Sequence, residues 1–102
     1  MEQQPMTEAM YYVLLALLRP LHGYGLMQRI SQLSGGRLTM SPGTLYGILS
    51  RLQREGLIRL EDQDARRKTY ALTEDGKEAL KTEYARLCRL VEDGALLKEE
   101  GL

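Results

Sequence analysis

Residues 41–56, "SPGTLYGILSRLQREG", read as a helix with a strong start and an unusual middle. Ser41 suits the N-cap, Pro42 the first helical position, and Gly56 the terminator. Gly43 and Gly47 stand where a surface helix ordinarily carries Glu, Lys or Ala, and each costs roughly 1 kcal/mol against alanine in a helix interior. At about 100° per residue, Leu45, Ile48, Leu49 and Leu52 fall in one tight stripe. Gly43, Gly47, Ser50 and Arg54 lie opposite, with Thr44 and Arg51 on one shoulder and Tyr46 on the other. The outward face is therefore small at its N-terminal end and basic at its C-terminal end.

Such a face has two readings. A helix entering the DNA major groove needs little bulk, so that the backbone comes close, and donors that reach bases or phosphates. The free N–H groups from Ser41 to Thr44 would also receive a phosphate well. The other reading is close packing against a neighbouring helix. Charge separates the two: no Asp or Glu occurs between Glu8 and Glu55, while Arg19, Arg29, Arg37, Arg51 and Arg54 all fall in that stretch. A packing groove has no need of that asymmetry, whereas a surface for a polyanion does.

Outward from this helix, the spacing predicts three more. Thr7 caps a first helix to about Arg19, apolar nearly all round, with Pro20 as its stop. After "PLHGYG" a second runs from about Tyr24 to Leu33, its apolar stripe Tyr24, Met27, Ile30 and Leu33, ended by Gly35 and Gly36. A short extended piece, Arg37 to Met40, leads into Ser41. Beyond Gly56 the period switches to two: Ile58 and Leu60 face one way, and Tyr70 and Leu72 return on the same side. This predicts a hairpin, roughly Leu57–Asp62 and Lys68–Leu72, with Arg66, Arg67 and Lys68 at or near its projecting tip. Thr73 caps the last helix, where Leu80, Tyr84, Leu87 and Val91 step by four, three and four, a narrow seam that serves either the chain's own core or a second copy. Gly94 ends it.

Composition limits the alternatives. The 102 residues suit one domain, and a core this small gains from dimerisation. The longest uncharged apolar run, Ala9 to Leu18, is well short of the roughly 20 residues that span a bilayer, and no basic stretch precedes it as in a signal peptide. A cytoplasmic protein with no membrane partner is the expectation. Cys88, the single cysteine, reads as a buried small hydrophobe, and His22, the single histidine, as a turn residue satisfied by backbone. Neither a nucleophile–base pair nor a metal set assembles from these residues, so no enzyme, metal or cofactor is expected.

Two helices, a recognition-like helix and a basic hairpin form the order of a winged helix-turn-helix, mainly α with a two-stranded wing and a C-terminal helix. The strings "HGYGLMQRI", "GTLYGILSRLQREGLI" and "RRKTYALTEDG" resemble the PadR family of bacterial transcriptional regulators from about Met10 to Leu80. The resemblance implies a homodimeric repressor on a double-stranded operator, one recognition helix per subunit, the C-terminal helix packing on the partner's first helix. The residues divide the chain into a disordered tail (1–6), a DNA-binding domain (7–72), a dimerisation helix (73–93) and a flexible tail (94–102). Carried over by position, Ser41, Gly43, Thr44, Tyr46, Ser50, Arg51 and Arg54 face DNA, with Arg66, Arg67 and Lys68 on the wing. Tyr24 reaches a phosphate through its hydroxyl while its ring belongs to the core. Tyr11, Leu14, Leu15, Leu18, Leu80, Tyr84, Leu87 and Val91 form the implied dimer interface. A small aromatic effector, as some members bind, would meet Tyr11, Tyr12, Leu15, Leu87 and Val91. Gly47 departs from the family's usual proline, the wing lacks the usual glycines, and the single C-terminal helix resembles the small subgroup. With no Trp in the chain, effector stacking on Trp is excluded. The rival from another class is a winged-helix module that binds protein instead of DNA.

Overall fold

Four side chains start the four long helices in one way, each accepting the N–H three residues on. Thr7 Oγ1 accepts from Met10 at 3.1 Å and begins α1 (Glu8–Ala16). His22 Nδ1 accepts from Gly25 at 3.0 Å and begins α2 (Gly23–Leu33). Ser41 Oγ accepts from Thr44 at 3.2 Å and begins α3 (Pro42–Arg54). Thr73 Oγ1 accepts from Gly76 at 3.0 Å and begins α4 (Glu74–Asp93). Each bond satisfies a donor that no helix can satisfy internally. The computed structural model that carries these bonds describes residues 5–63 and 67–102.

Between the helices lies a small antiparallel sheet in the order β1-β3-β2, made of β1 (Leu21–His22), β2 (Ile58–Gln63) and β3 (Lys68–Leu72). Ile58 pairs with Leu72 and Leu60 with Tyr70, so the alternate apolar residues share the inner face, as the period-two pattern requires. The register slips between Leu60 and Asp62. The third strand was not foreseen: β1 has two residues, pairing Leu21 with Tyr70 and His22 with Thr69, and two residues carry no periodicity to read.

The core gathers Val13, Leu14 and Leu17 of the first helical segment, Leu26 and Ile30 of α2, Leu45, Leu49 and Leu52 of α3, Ile58 of β2, and Leu80 of α4. On α2 the buried residues are Gly23, Leu26 and Ile30; of the predicted stripe Ile30 is sealed and Met27 packs against the core, while Tyr24 is 65% exposed and Leu33 43%. The Tyr24 ring is thus not core. α1 stops at Ala16, short of Arg19, because Leu17 and Leu18 fall back to bonds with Leu14 and Leu15, tightening the last turn before Pro20.

α4 packs on α1 and β3, with Gly76, Leu80 and Glu83 buried in its first half and Arg86, Leu87 and Cys88 half-buried just beyond. Its outer half, including Val91 at 76% exposure, is open to solvent, and the molecule measures 57 × 34 × 20 Å. After Gly94 the expected flexible tail contains a short exposed helix, α5 (Leu96–Glu99). At the other end, Met6 departs from a free tail: it is half-buried and its N–H donates to Glu83 Oε2 at 3.2 Å. No helix among the described residues is long and apolar enough to cross a membrane.

Candidate nucleic-acid interface

The apolar stripe of α3 is sealed, with Leu45, Leu49 and Leu52 at or below 1% exposure, and this fixes which face looks outward. On that face Gly43 and Gly47 have nothing within 4 Å of the point where a Cβ would stand. Among the described residues no neighbouring helix uses the glycines for close packing, so that reading falls within a single copy. Ser50 and Arg54 continue the face and are exposed. Among the described residues no ion pair engages Arg54. Ser41 and Thr44 are exposed at the helix start, the Ser41 hydroxyl donating to Thr44 Oγ1 at 3.1 Å.

The shoulders of α3 are exposed, and two of their side chains also make contacts within the chain. Arg51 turns toward its own helix end, where its Nε lies 3.4 Å from Glu55 Oε2, and it shares a cleft with Met6, Thr7 and Met10. A DNA contact from Arg51 would have to break that pair. Tyr46 is only 45% exposed, and its hydroxyl end lies over Gly23 at the start of α2. Arg37 is also engaged: its guanidinium meets Glu8 Oε1 at 3.4 Å and donates to the Tyr12 hydroxyl at 2.8 Å. The acid-free stretch of sequence therefore does not fold into one continuous cationic surface, because acids outside it reach back. On the wing, Arg67 and Lys68 are exposed, while Arg66 lies outside the described residues.

The residues assigned to a dimer interface divide in two. Leu14 and Leu80 are buried in the core of the single chain, at 0% and 6% exposure, and are not available to a partner. A helical step of four placed Leu80 on the same seam as Tyr84, but α4 still lies against the body at that point. Tyr11, Leu15 and Leu87 are half-buried, whereas Leu18, Tyr84 and Val91 are open.

Between α1 and α4 runs a cleft of about 290 Å³ whose walls include Tyr11, Tyr12 and Leu87 from the effector set. Leu15 and Val91 do not line it. The other walls are Met6, Thr7, Glu8, Glu83 and Arg86. Tyr11 and Tyr12 meet edge to face at 6.3 Å between centroids. Burial, with Tyr84, Cys88 and Glu83 nearby, raises the Tyr11 phenol above its ordinary value. Cys88 is half-buried beside these tyrosines, not sealed in the core as a small hydrophobe would be. Glu83 is the polar residue that sequence reasoning passed over. Both its oxygens accept from Arg86 at 2.7 Å, which holds the carboxyl below the usual carboxylate range against the opposing effect of burial. An acid one turn from Leu80 and Leu87, inside the apolar stripe, was the available signal. Ser34 was missed too: buried at 5% exposure, its hydroxyl accepts the Leu38 N–H at 3.0 Å and steadies the connection into α3.

Comparison with known proteins bears on this geometry. The profile described as "Transcriptional regulator PadR-like family" matches residues 13–82. Transcriptional regulator YqjI of Escherichia coli (strain K12) is 41% identical over 59 residues, 58% of this chain and 28% of that protein. The chain spans about a quarter of the length of the curated relatives it matches. A PadR family transcriptional regulator from Eggerthella lenta DSM 2243 superposes with a TM-score of 0.73 at 29% identity, covering 89% of this chain and 81% of that one. Bacillus subtilis PadR, solved in complex with operator DNA, superposes with a TM-score of 0.64 at 28% identity, covering 78% of this chain and 48% of that one. With its capped helices, three-stranded sheet and 70 matched residues in a continuous stretch from 13 to 82, the chain belongs to the PadR-like family of transcriptional regulators.

Proposed function

We propose that the chain binds a near-palindromic DNA operator as a homodimer and represses transcription from it. In this reading α3 enters the major groove, its glycine face against the base edges and Arg54 on a base or phosphate. Wing cations Arg66, Arg67 and Lys68 meet the flanking backbone, contributing affinity without sequence information. The two copies join through the outer half of α4, where Tyr84 and Val91 are 61% and 76% exposed. The observation that carries the reading is the open space beyond Gly43 and Gly47, kept at a cost in helix stability. The relative solved with operator DNA supports the same use of the fold.

Titration of duplex DNA at two salt concentrations tests this directly. Specific binding should fall steeply as salt rises, with a slope set by the number of phosphates neutralised. Binding to a protein partner, indifferent to salt and to DNA sequence, would instead favour an interaction module. Fragments selected from the host genome should carry half-sites about 34 Å apart, one turn of the duplex. A small aromatic effector is assigned to the cleft beside Tyr11, Tyr12 and Leu87, whose volume is near the lower end for small-molecule sites. A calorimetric screen of aromatic compounds that gives no heat and no change in operator affinity would remove the effector from the proposal.

A further inference from the structure

Gly23 opens α2 without a positive φ, so its backbone does not require glycine. Space is taken up instead: a Cβ there would collide with the Tyr46 hydroxyl and stand 2.9 Å from Cζ and 3.4 Å from Cε1, so the end of the Tyr46 side chain would have to leave its seat. The Tyr46 side chain, projecting from α3, therefore rests by its tip on bare backbone at the start of α2. Tyr46 also stands close enough to Tyr70 to add to the effect of burial in raising the Tyr70 phenol. Tyr70 is buried on β3, the middle strand, facing Leu21 of β1 and Leu60 of β2. The Tyr46 side chain thus joins the recognition helix to the first turn of α2, which follows directly on β1 and its pairing with β3.

Resting on the DNA-binding reading above, we infer that Tyr46 seated on Gly23 is a spacer that fixes how far α3 stands from α2 and the wing, and so sets operator selectivity. Tyr46 is a positioning residue whose hydroxyl does not read bases. Phosphate contacts from the wing and base contacts from α3 have to be made in one register, and a recognition helix displaced against its frame loses the second while keeping the first. Gly23 is the seat that makes the spacing possible. An aromatic ring with two rotatable bonds holds such a distance more firmly than a flexible chain of equal length.

The test uses the full chain, a duplex that it selects from a random-sequence pool, and a scrambled duplex of the same composition. The variants are Gly23→Ala, Tyr46→Phe, Tyr46→Leu and the double Gly23→Ala/Tyr46→Leu. The leucine ends short of all three atoms that a Cβ at position 23 would meet. Gly23→Ala alone should weaken the selected duplex about tenfold, the scale of coupling between residues in contact, and change the scrambled duplex less than about twofold because phosphate contacts survive. Tyr46→Phe should keep affinity for the selected duplex within about twofold, since the ring still reaches its seat. In the leucine background the alanine should add no further loss, and it should raise the thermal midpoint, as alanine does in a helix free of steric conflict. If Gly23→Ala does not fold, recovery of folding in the double variant reads the same contact. Equal alanine losses in both backgrounds overturn the inference, as does Tyr46→Phe losing as much as Tyr46→Leu. A wild-type chain that selects no duplex overturns the DNA reading and this inference with it; selection with additive variants overturns this inference alone.

Discussion

Gly47 shows how a residue that weakens its own element serves the molecule. With nothing within 4 Å of its missing Cβ, Gly47→Ala should stabilise the fold by up to about 1 kcal/mol, read as a higher urea midpoint. The same change puts a methyl on the face offered to DNA, and specific affinity should fall as stability rises. A variant that gains in both would show that the groove does not come close there. Arg54→Ala separates two roles for its charge. Loss of roughly 1–3 kcal/mol on the selected duplex alone marks a base contact, and an equal loss on all sequences marks a phosphate contact. The glycines and Arg54 were legible from helical spacing, since three leucines define the buried side. Tyr46 was not, because a seat on Gly23 is a matter of where a long side chain comes to rest, whereas the Arg51–Glu55 pair, four residues apart, lay open to the same helical spacing and was passed over.

Among the elements, α4 depends most on its first turn. Thr73 caps the helix, its hydroxyl also donates to the Gly56 carbonyl at 2.7 Å, and its N–H donates to the Leu57 carbonyl at 3.1 Å. This binds the helix start to the entry of β2. Gly76 lets the two backbones touch, since a Cβ there would collide with the Leu57 carbonyl oxygen. Gly76→Ala should therefore destabilise by about 1–3 kcal/mol in urea unfolding, because backbone and not a movable side chain obstructs the methyl. The sequence marked Thr73 as a cap but gave no hint of the close approach. Further along α4, Glu83 links stability to pH. Its folded carboxyl titrates below the ordinary value of 4.5, so its stabilisation is complete above that pH and is lost as pH falls through the folded value. Glu83→Gln should flatten the decline in urea midpoint on going from neutral pH to below 4.5, while an unchanged decline would assign the acid sensitivity to other groups.

For the molecule as a whole, the outer half of α4 presents Tyr84, Leu90 and Val91 to solvent. If two copies bury this surface, Val91→Glu should convert dimer to monomer in sedimentation and reduce operator affinity more than tenfold, since two linked heads bind with an effective concentration that one head lacks. The unfolding midpoint of the wild-type chain should rise with protein concentration. A monomeric wild-type chain that binds its operator tightly would contradict both expectations.

Local pattern alone determined the long helices, three of their caps, the hairpin and the outward face of α3. These follow from periodicity, from residues with one strong conformational preference, and from charge, all of which act over a few positions. Tertiary structure decided the third strand at Leu21 and His22, the burial of Leu14 and Leu80, the engagement of Arg37 with Glu8 and Tyr12, and the contact between Tyr46 and Gly23. Each joins residues far apart in the chain, where no local preference records the neighbour and only the packed core brings the two together.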